Sequence, residues 1–137
     1  MSSMKTFEEI DHTADWAFRA YGRDVRELFV NAARAMFSLQ GSLTDAPPSL
    51  IRTVTVEGVD LETLLVNWLN ELLFLQETQR ETYDRFEIQE LTETNLRAQI
   101  RGKPRGQIDK VIKAATFHNL SVTQTNEGWE ATVVVDV

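Results

Sequence analysis

The chain has 137 residues, of which 42% are hydrophobic and 26% charged, and its formal net charge at pH 7 is −7. This length and balance are typical of a single globular domain with one core, and they exclude the disordered and collagen-like classes. The sequence contains no cysteine, which excludes disulfide bonds, thiolate catalysis and zinc sites built from thiolates.

Charge and hydropathy also limit the cellular location and the kinds of partner that we expect. No window reaches the roughly 18 consecutive apolar residues that a membrane span requires, and acids follow the N-terminal residues where a signal peptide would have an apolar core. We therefore expect a cytoplasmic protein without membrane contact. A negative surface repels phosphate backbones, so we expect no autonomous nucleic-acid binding and favour a basic protein or a cation as partner.

The first predicted unit is a strand followed by a helix. Residues Trp16 to Tyr21 predict a strand that ends at Gly22. Asp24 then suits the N-cap of a helix, with Glu27 in the reciprocal position of a capping box. The apolar residues of this helix have the spacing of one buried face. They are Val25, Leu28, Phe29, Ala32, Ala33, Met36 and Phe37.

A second strand and helix repeat this pattern. After Ala46-Pro47-Pro48, the alternation from Ile51 to Val56 predicts a strand. Asp60 suits the N-cap of the next helix. Its apolar stripe consists of Leu61, Leu64, Leu65, Trp68, Leu69, Leu72 and Leu73.

A shift of 36 residues aligns the two units. It matches Gly22 with Gly58, Asp24 with Asp60, Leu28 with Leu64, and Asn31 with Asn67. This agreement predicts an internal strand–helix duplication. The alternative is that any capped amphipathic helix after a strand gives similar matches.

The last third of the chain predicts antiparallel strands. Phe86 to Ile88 and Leu96 to Ile100 flank a turn-rich segment and form a predicted hairpin. A strand from Ile112 to Val122 and a final strand from Trp129 to Val137 form a second one. We therefore predict an α+β fold in a single domain of residues 1–137, with two amphipathic helices packed on a mainly antiparallel sheet of about six or seven strands.

Two acidic segments are the candidate site. Asp11-His12-Thr13-Ala14-Asp15 precedes the first predicted strand, and Asp136 ends the hydrophobic run of the last one. Carboxylates and free carbonyls at strand ends can bind a hard cation. From the residues alone, the alternative is that both acids are solvated or form turns. The two histidines, His12 and His118, suit structural hydrogen bonds as well as chemistry.

Motifs that would indicate nucleotide-dependent or zinc-peptidase chemistry are absent from the sequence, and no Ser-His-Asp arrangement can be inferred. A metal-dependent hydrolase using Asp15 and His12 is a further hypothesis, but it lacks a base and nucleophile set.

Four motifs in order give the chain a resemblance to the archease family, from about Phe7 to Val137. The motifs are His12-Thr13-Ala14-Asp15 before the first strand and Gly22; Glu27-Leu28-Phe29 with Asn31-Ala32-Ala33; the segment from Leu64 to Leu73; and Ile112 to His118 with the ending Val135-Asp136-Val137. The resemblance implies a protein that is not itself an enzyme. It would activate an RtcB-type RNA ligase, which joins tRNA halves, by promoting ligase guanylylation and multiple turnover, and would meet tRNA only through the ligase.

The resemblance also implies a metal site and an alternative function. The ligands would be Asp15, Asp136 and the main-chain oxygen of Val137, with calcium as the expected cation and manganese or magnesium as alternatives. His12 would lie beside these ligands, whereas Lys113 and His118 receive no role. The alternative function is that of a chaperone-like modulator of tRNA-modifying enzymes.

Overall fold

Two helices and eight strands form the described part of the chain. In this computed structural model the described residues are 5–11, 16–41, 47–106, 108 and 110–137. The helices are α1 (Val25–Leu39) and α2 (Leu61–Gln79). The strands are β1 (Phe7–Asp11), β2 (Trp16–Gly22), β3 (Leu50–Glu57), β4 (Glu81–Leu91), β5 (Asn95–Pro104), β6 (Ala114–Ala115), β7 (Ser121–Thr125) and β8 (Gly128–Asp136).

The strands form two antiparallel sheets. One has five strands in the order β1-β2-β8-β6, with β7 also paired to β8, and the other has three strands in the order β3-β5-β4. The predicted α+β class, with two helices on antiparallel strands in a single domain, is confirmed. The described strands number eight in two sheets because β1 was not predicted and one predicted strand is divided. No helix in the described part of the chain is long and apolar enough to cross a membrane.

The predicted strand from Ile112 to Val122 is wrong as one continuous element. Asn119 has a left-handed φ of 51°, and the N–H of Leu120 donates to the carbonyl of Phe117 at 3.2 Å. This turn separates β6 from β7. Asparagine adopts left-handed backbone angles more readily than most residues, so it permits the break although the alternation of side chains continues through it.

Both predicted helix starts are confirmed. The carboxylate of Asp24 accepts the N–H of Glu27, and that of Asp60 accepts the N–H of Thr63, each at 2.8 Å. Each bond satisfies one of the backbone donors that a helix leaves free at its N-terminus. The carboxylate of Glu27 accepts the N–H of Arg23, one residue before the cap, at 3.0 Å.

The two strand–helix units are also alike in three dimensions. The side-chain amide of Asn31 donates to the carbonyl of Tyr21 at 2.6 Å, and Asn67 donates to the carbonyl of Glu57 at 2.7 Å. In each unit the asparagine of the helix therefore fixes the end of the preceding strand. The predicted repeat is thus supported by equivalent contacts as well as by equivalent spacing.

The repeat extends to whole sheets. We call β2, α1, β7 and β8 the first unit, and β3, α2, β4 and β5 the second unit. Their strand orders, β2-β8-β7 and β3-β5-β4, are the same. In the sequence, the second unit lies between α1 and β7 of the first. One unit is therefore inserted into the other, and β1 and β6 are additions to the first unit's sheet.

A single hydrophobic core joins the two units. The indole N–H of Trp68 on α2 donates to the carbonyl of Phe29 on α1 at 3.0 Å. Phe37 of α1 lies edge-on to Tyr83 of β4, with ring centroids 5.8 Å apart. Burying each large apolar side chain contributes about 1.5–3 kcal/mol, so contacts across the two units are a large part of the stability.

Candidate functional site

The ends of four strands lie side by side at one end of the five-stranded sheet. Asp11, the last residue of β1, is paired with Trp16, the first residue of β2. Trp16 is in turn paired with Val135 of β8. Asp136, the last residue of β8, is paired with Ala114, the first residue of β6. We call this region the strand-end site. It unites segments that are more than a hundred residues apart in the sequence.

Asp136 is exposed at the end of a buried strand. The three valines before it, Val133 to Val135, are at most 3% exposed, whereas Asp136 itself is exposed. Its main-chain carbonyl accepts the N–H of Lys113 at 2.7 Å. Among the described residues, no cation lies within ion-pair distance of its carboxylate. The backbone of Asp136 is therefore fixed while its side-chain oxygens stay available.

A lysine from the loop before β6 lies at the same end of the sheet. The Nζ atom of Lys110 lies 4.3 Å from the centroid of the Trp16 ring. This distance is within the range of a cation–π interaction, which contributes about 0.5–1 kcal/mol at an exposed site. The loop before β6 is thereby attached to the first residue of β2.

Two side chains, one on α2 and one just after α1, fix the segment that borders Asp136. The amide of Asn70 on α2 bonds both backbone groups of Ala115: its oxygen accepts the N–H at 2.8 Å and its nitrogen donates to the carbonyl at 3.1 Å. The side-chain oxygen of Gln40 accepts the N–H of Ile112 at 2.9 Å. The segment from 112 to 115 is thus positioned by the helices as well as by β8.

The last turn of this segment is tied to β8 by Thr116. Its N–H and its hydroxyl both donate to the carbonyl of Val134, at 3.0 and 2.8 Å. The same hydroxyl accepts the N–H of His118 at 3.3 Å. His118 is exposed, and its Nε2 lies 3.3 Å from the amide nitrogen of Asn119. These contacts give His118 a place in the turn between β6 and β7.

The comparison with known proteins identifies the family. The model of the archease protein family matches residues 7–137. The chain belongs to the archease family. The archease of Methanosarcina barkeri is 38% identical over 146 residues, which cover 100% of both chains. The archease of Methanopyrus kandleri is 36% identical over 138 residues, which cover 96% of this chain and 99% of its own.

Two solved structures share the archease fold. A Methanobacterium thermoautotrophicum protein, solved in solution, is 33% identical with a TM-score of 0.75, covering 98% of this chain and 100% of its own. An archease of Thermotoga maritima, described as a possible chaperone, has a TM-score of 0.68 and covers 100% of both chains. At 20% identity, the second likeness supports the fold alone.

The predicted site residues of this archease fall into two groups. His12 and Asp15 lie outside the described residues. Asp136 and Val137 are described, and both are exposed at the end of the last strand. Within the described ranges, no group of three or more histidine, aspartate or glutamate side chains is suited to hold a metal ion. The predicted ligand set therefore stays a prediction.

Sequence reasoning missed the residues that support the strand-end site. Gln40 is fully buried and Gln76 is 1% exposed, and each donates its side-chain amide to the other's oxygen, at 2.9 and 3.0 Å. Their separation of 36 residues equals the period of the repeat. That spacing could have drawn attention to them, because it places polar amides at equivalent positions of the repeat. Asn70 gave no such signal, since its partner Ala115 is 45 residues away.

Proposed function

We propose that this archease is a non-catalytic activator of an RtcB-type RNA ligase. In this proposal it acts through a divalent cation held by Asp15, Asp136 and the main-chain oxygen of Val137. The observation that carries the proposal is the strand-end site, where β2 begins beside the end of β8 and Asp136 offers an exposed carboxylate. Membership of the archease family supports the choice of partner.

The chemistry of the donors suits a hard cation. Calcium, magnesium and manganese prefer carboxylate and carbonyl oxygens. Asp15 precedes Trp16 in the chain, and Asp136 follows Val135, the residue paired with Trp16. The ordered backbone around Asp136 reduces the entropy that the ligands lose on binding. When bound, the cation would supply positive charge beside the phosphates of the guanylylation reaction.

The residues of this chain would contribute binding and position. We assign the carboxylates of Asp15 and Asp136 to cation binding, and Lys113, through its main-chain N–H, to fixing Asp136. Lys110 and Trp16 keep the neighbouring loop against the sheet end. No nucleophile or general base is assigned to this chain, since the ligase supplies the reacting groups.

Terbium luminescence offers a direct test of the cation site. Terbium substitutes for calcium at oxygen sites, and Trp16, next to Asp15 in sequence, is placed to transfer excitation energy to it. We expect saturable luminescence that calcium displaces, and a loss of affinity of about tenfold or more for Asp15→Asn and for Asp136→Asn. The matched control is Glu127→Gln, an exposed acid in the turn between β7 and β8, which should bind terbium like the parent.

Single-turnover guanylylation of the cognate ligase tests the function. We expect the parent protein and Glu127→Gln to stimulate the reaction, and Asp15→Asn and Asp136→Asn to fold normally without stimulating it. Full stimulation by both aspartate variants would remove the cation site from the mechanism. Absence of stimulation by the parent would contradict the choice of partner.

The same variants distinguish the ligase-activator proposal from the chaperone-like alternative. A modulator that only shields a tRNA-modifying enzyme from aggregation needs no cation. Protection that survives a chelator and both aspartate variants, with no effect on ligase guanylylation, would favour that function.

A further inference from the structure

Strand β3 is a sheet edge with no strand on its outer side among the described residues. It lies at one end of the three-stranded sheet, and its pairing with β5 runs without a bulge from Leu50 opposite Gly102 to Glu57 opposite Asn95. Edge strands usually carry lysine, proline or a bulge, or are covered by another element. The sequence of β3 contains neither lysine nor proline. In the described part of the chain, no other strand pairs with it.

Three other edge strands each have such a device. Strand β4 has two register shifts, and Arg26 of α1 donates to the carbonyl of Ile88 on it. Strand β6 is bracketed by the amide of Asn70, which bonds both backbone groups of Ala115. Three of the five residues of β1 are acidic. Strand β3 therefore lacks a device that β1, β4 and β6 each have; β7, the remaining edge strand, lacks one too but has only five residues against the eight of β3.

The internal repeat indicates what fits the β3 edge. Strand β2 is the equivalent of β3, and β8 is the equivalent of β5. On its other side β2 is paired with β1, which also contacts α1. Among the residues that the structure describes, no strand is paired at the corresponding position beside β3. An extended segment that runs antiparallel to β3 would therefore have the same relation to the second unit that β1 has to the first.

A groove lies at the C-terminal end of β3, beside α2. It has a volume of about 420 Å³ and is lined by Val56 and Glu57 of β3 and by Asn67, Asn70, Glu71 and Phe74 of α2. No residue of β4 or β5 lines it, so it lies on the free side of β3. Phe74 is 58% exposed, which is unusual for a phenylalanine on a helix that packs on a core.

The lining determines the chemistry of the occupant. Phe7 of β1 is paired with Ala20, and the position 36 residues after Ala20 is Val56. The residue of the occupant that lies opposite Val56 therefore corresponds to Phe7 of β1. An apolar side chain at this position would pack against Val56 and Phe74. Glu57 and Glu71 are the charged residues of the lining, so positive side chains on the occupant would be favoured.

We propose that the β3 edge and this groove bind an extended segment of a partner protein. The segment pairs antiparallel to β3, with an apolar side chain opposite Val56 and basic residues on either side of it. Main-chain hydrogen bonds supply much of the affinity and the groove supplies specificity, as in other cases of strand addition. This inference rests on the fold and not on the cation site, which lies on the other sheet, so either can fail alone.

Two synthetic peptides and the full-length protein test the proposal. The first peptide has the sequence of residues 5–11, of which residues 7–11 pair with β2 in the first unit. The second carries lysine in place of Glu8, Glu9 and Asp11. The protein is labelled with nitrogen-15, and its amide signals and hydrogen-exchange rates are followed during each titration. We expect the basic peptide to shift and protect the amides of β3, and the acidic one to bind at least tenfold more weakly.

Variants of exposed apolar residues make the test specific. Phe74→Ala should weaken binding of the basic peptide at least fivefold without changing the fold, because Phe74 is mostly exposed. The matched control is Val111→Ala, which is 40% exposed outside the groove and should bind like the parent. Equal binding of the two peptides, or binding that ignores Phe74, would overturn the proposal. Shifts of β3 amides that depend on protein concentration alone would overturn it in favour of pairing between two copies.

Discussion

At the scale of single residues, the junction between strand and helix requires glycine in both units. A Cβ atom on Gly22 would lie 2.3 Å from the backbone nitrogen of Leu28, and one on Gly58 would lie 2.6 Å from that of Leu64. Backbone atoms of a helix cannot move aside as a flexible side chain can. The first turn of each helix therefore packs directly on this glycine, which is the last residue of β2 in the first unit and follows the last residue of β3 in the second.

Alanine at either junction should destabilise the protein. We expect Gly22→Ala and Gly58→Ala each to lower the free energy of unfolding by about 1–3 kcal/mol, because the new methyl group forces the backbones apart. Gly106→Ala is the control, since nothing lies within 4 Å of a Cβ there, and it should change stability by less than about 0.5 kcal/mol. Urea unfolding followed by circular dichroism measures all three. A neutral effect at Gly22 would contradict the tight packing.

A buried carboxylate gives the protein a defined response to acid. Glu81 accepts from Arg52 Nε at 2.6 Å and from the hydroxyl of Tyr83 at 2.7 Å. The hydrogen bond from Arg52 holds the pKa of Glu81 below its ordinary value of 4.5, and burial raises the pKa of Tyr83. Because the pKa of Glu81 is lowered on folding, its contribution to stability is present above pH 4.5 and is lost as the pH falls through the lowered pKa.

Removing this charge should lower stability and flatten its pH dependence. For Glu81→Gln we expect about 1–2 kcal/mol less stability at pH 7, because Arg52 loses its charged partner but, at 35% exposure, stays partly hydrated, and a smaller loss between pH 5 and pH 2 than in the parent. Glu87→Gln, which changes an exposed acid of the same strand, should alter neither the stability at pH 7 nor its loss between pH 5 and pH 2. Urea unfolding at a series of pH values provides the measurement. A parental acid slope in Glu81→Gln would show that other groups control the response.

At the scale of elements, a pair of glutamines joins the two helical units. Gln40, just after α1, and Gln76 of α2 exchange amide hydrogen bonds at 2.9 and 3.0 Å within the core. Gln40 also accepts the N–H of Ile112. Buried amides are stabilising only while their partners are in place, because an unsatisfied group keeps its desolvation cost.

A double-mutant cycle should reveal this coupling. We expect Gln76→Ala to destabilise the protein by about 1–3 kcal/mol, and Gln40→Ala by more, because it also leaves the N–H of Ile112 without its acceptor. The double variant should lose less than the sum, by about 0.5–3 kcal/mol. Thermal and urea unfolding give the three values. Strict additivity would mean that the two amides act independently.

Local sequence signals were sufficient to predict the two helices and the internal repeat. The caps Asp24 and Asp60 and the two apolar stripes act over a few residues, so their spacing predicts them. The division of β6 from β7 was not predictable in this way, because side-chain alternation continues through the turn at Asn119. The separation of the strands into two sheets depends on pairings such as that of β2 with β8, which lie far apart in the sequence.

The candidate site was predictable only in part. The position of Asp136 at a strand end followed from the hydrophobic run before it, and the structure agrees. The supporting contacts, from Asn70 to Ala115 and from Lys110 to Trp16, join residues of different elements. The spacing of residues in the sequence does not indicate such contacts, so only the tertiary structure reveals them.

At the scale of the whole molecule, the insertion of one unit into the other determines how the protein unfolds. The second unit interrupts the first between α1 and β7, so the first unit cannot complete its sheet until the chain has passed through the second. The core is continuous across both units, and the glutamine pair and the bond from Trp68 to Phe29 cross the boundary. Neither unit keeps its buried surface if the other unfolds.

We therefore expect one cooperative unfolding transition, reported equally by probes in each unit. Trp68 is buried in the second unit, whereas Trp16 and Trp129 lie on β2 and β8 of the first. One variant keeps only Trp68, with the other two tryptophans changed to phenylalanine, and a second variant carries Trp68→Phe. In each variant the urea midpoint by fluorescence should equal the midpoint by circular dichroism of the same variant. This comparison cancels the lower stability that Trp68→Phe itself causes. A fluorescence midpoint that precedes the dichroism midpoint in one variant would show that this unit opens first and that the shared core does not couple the two.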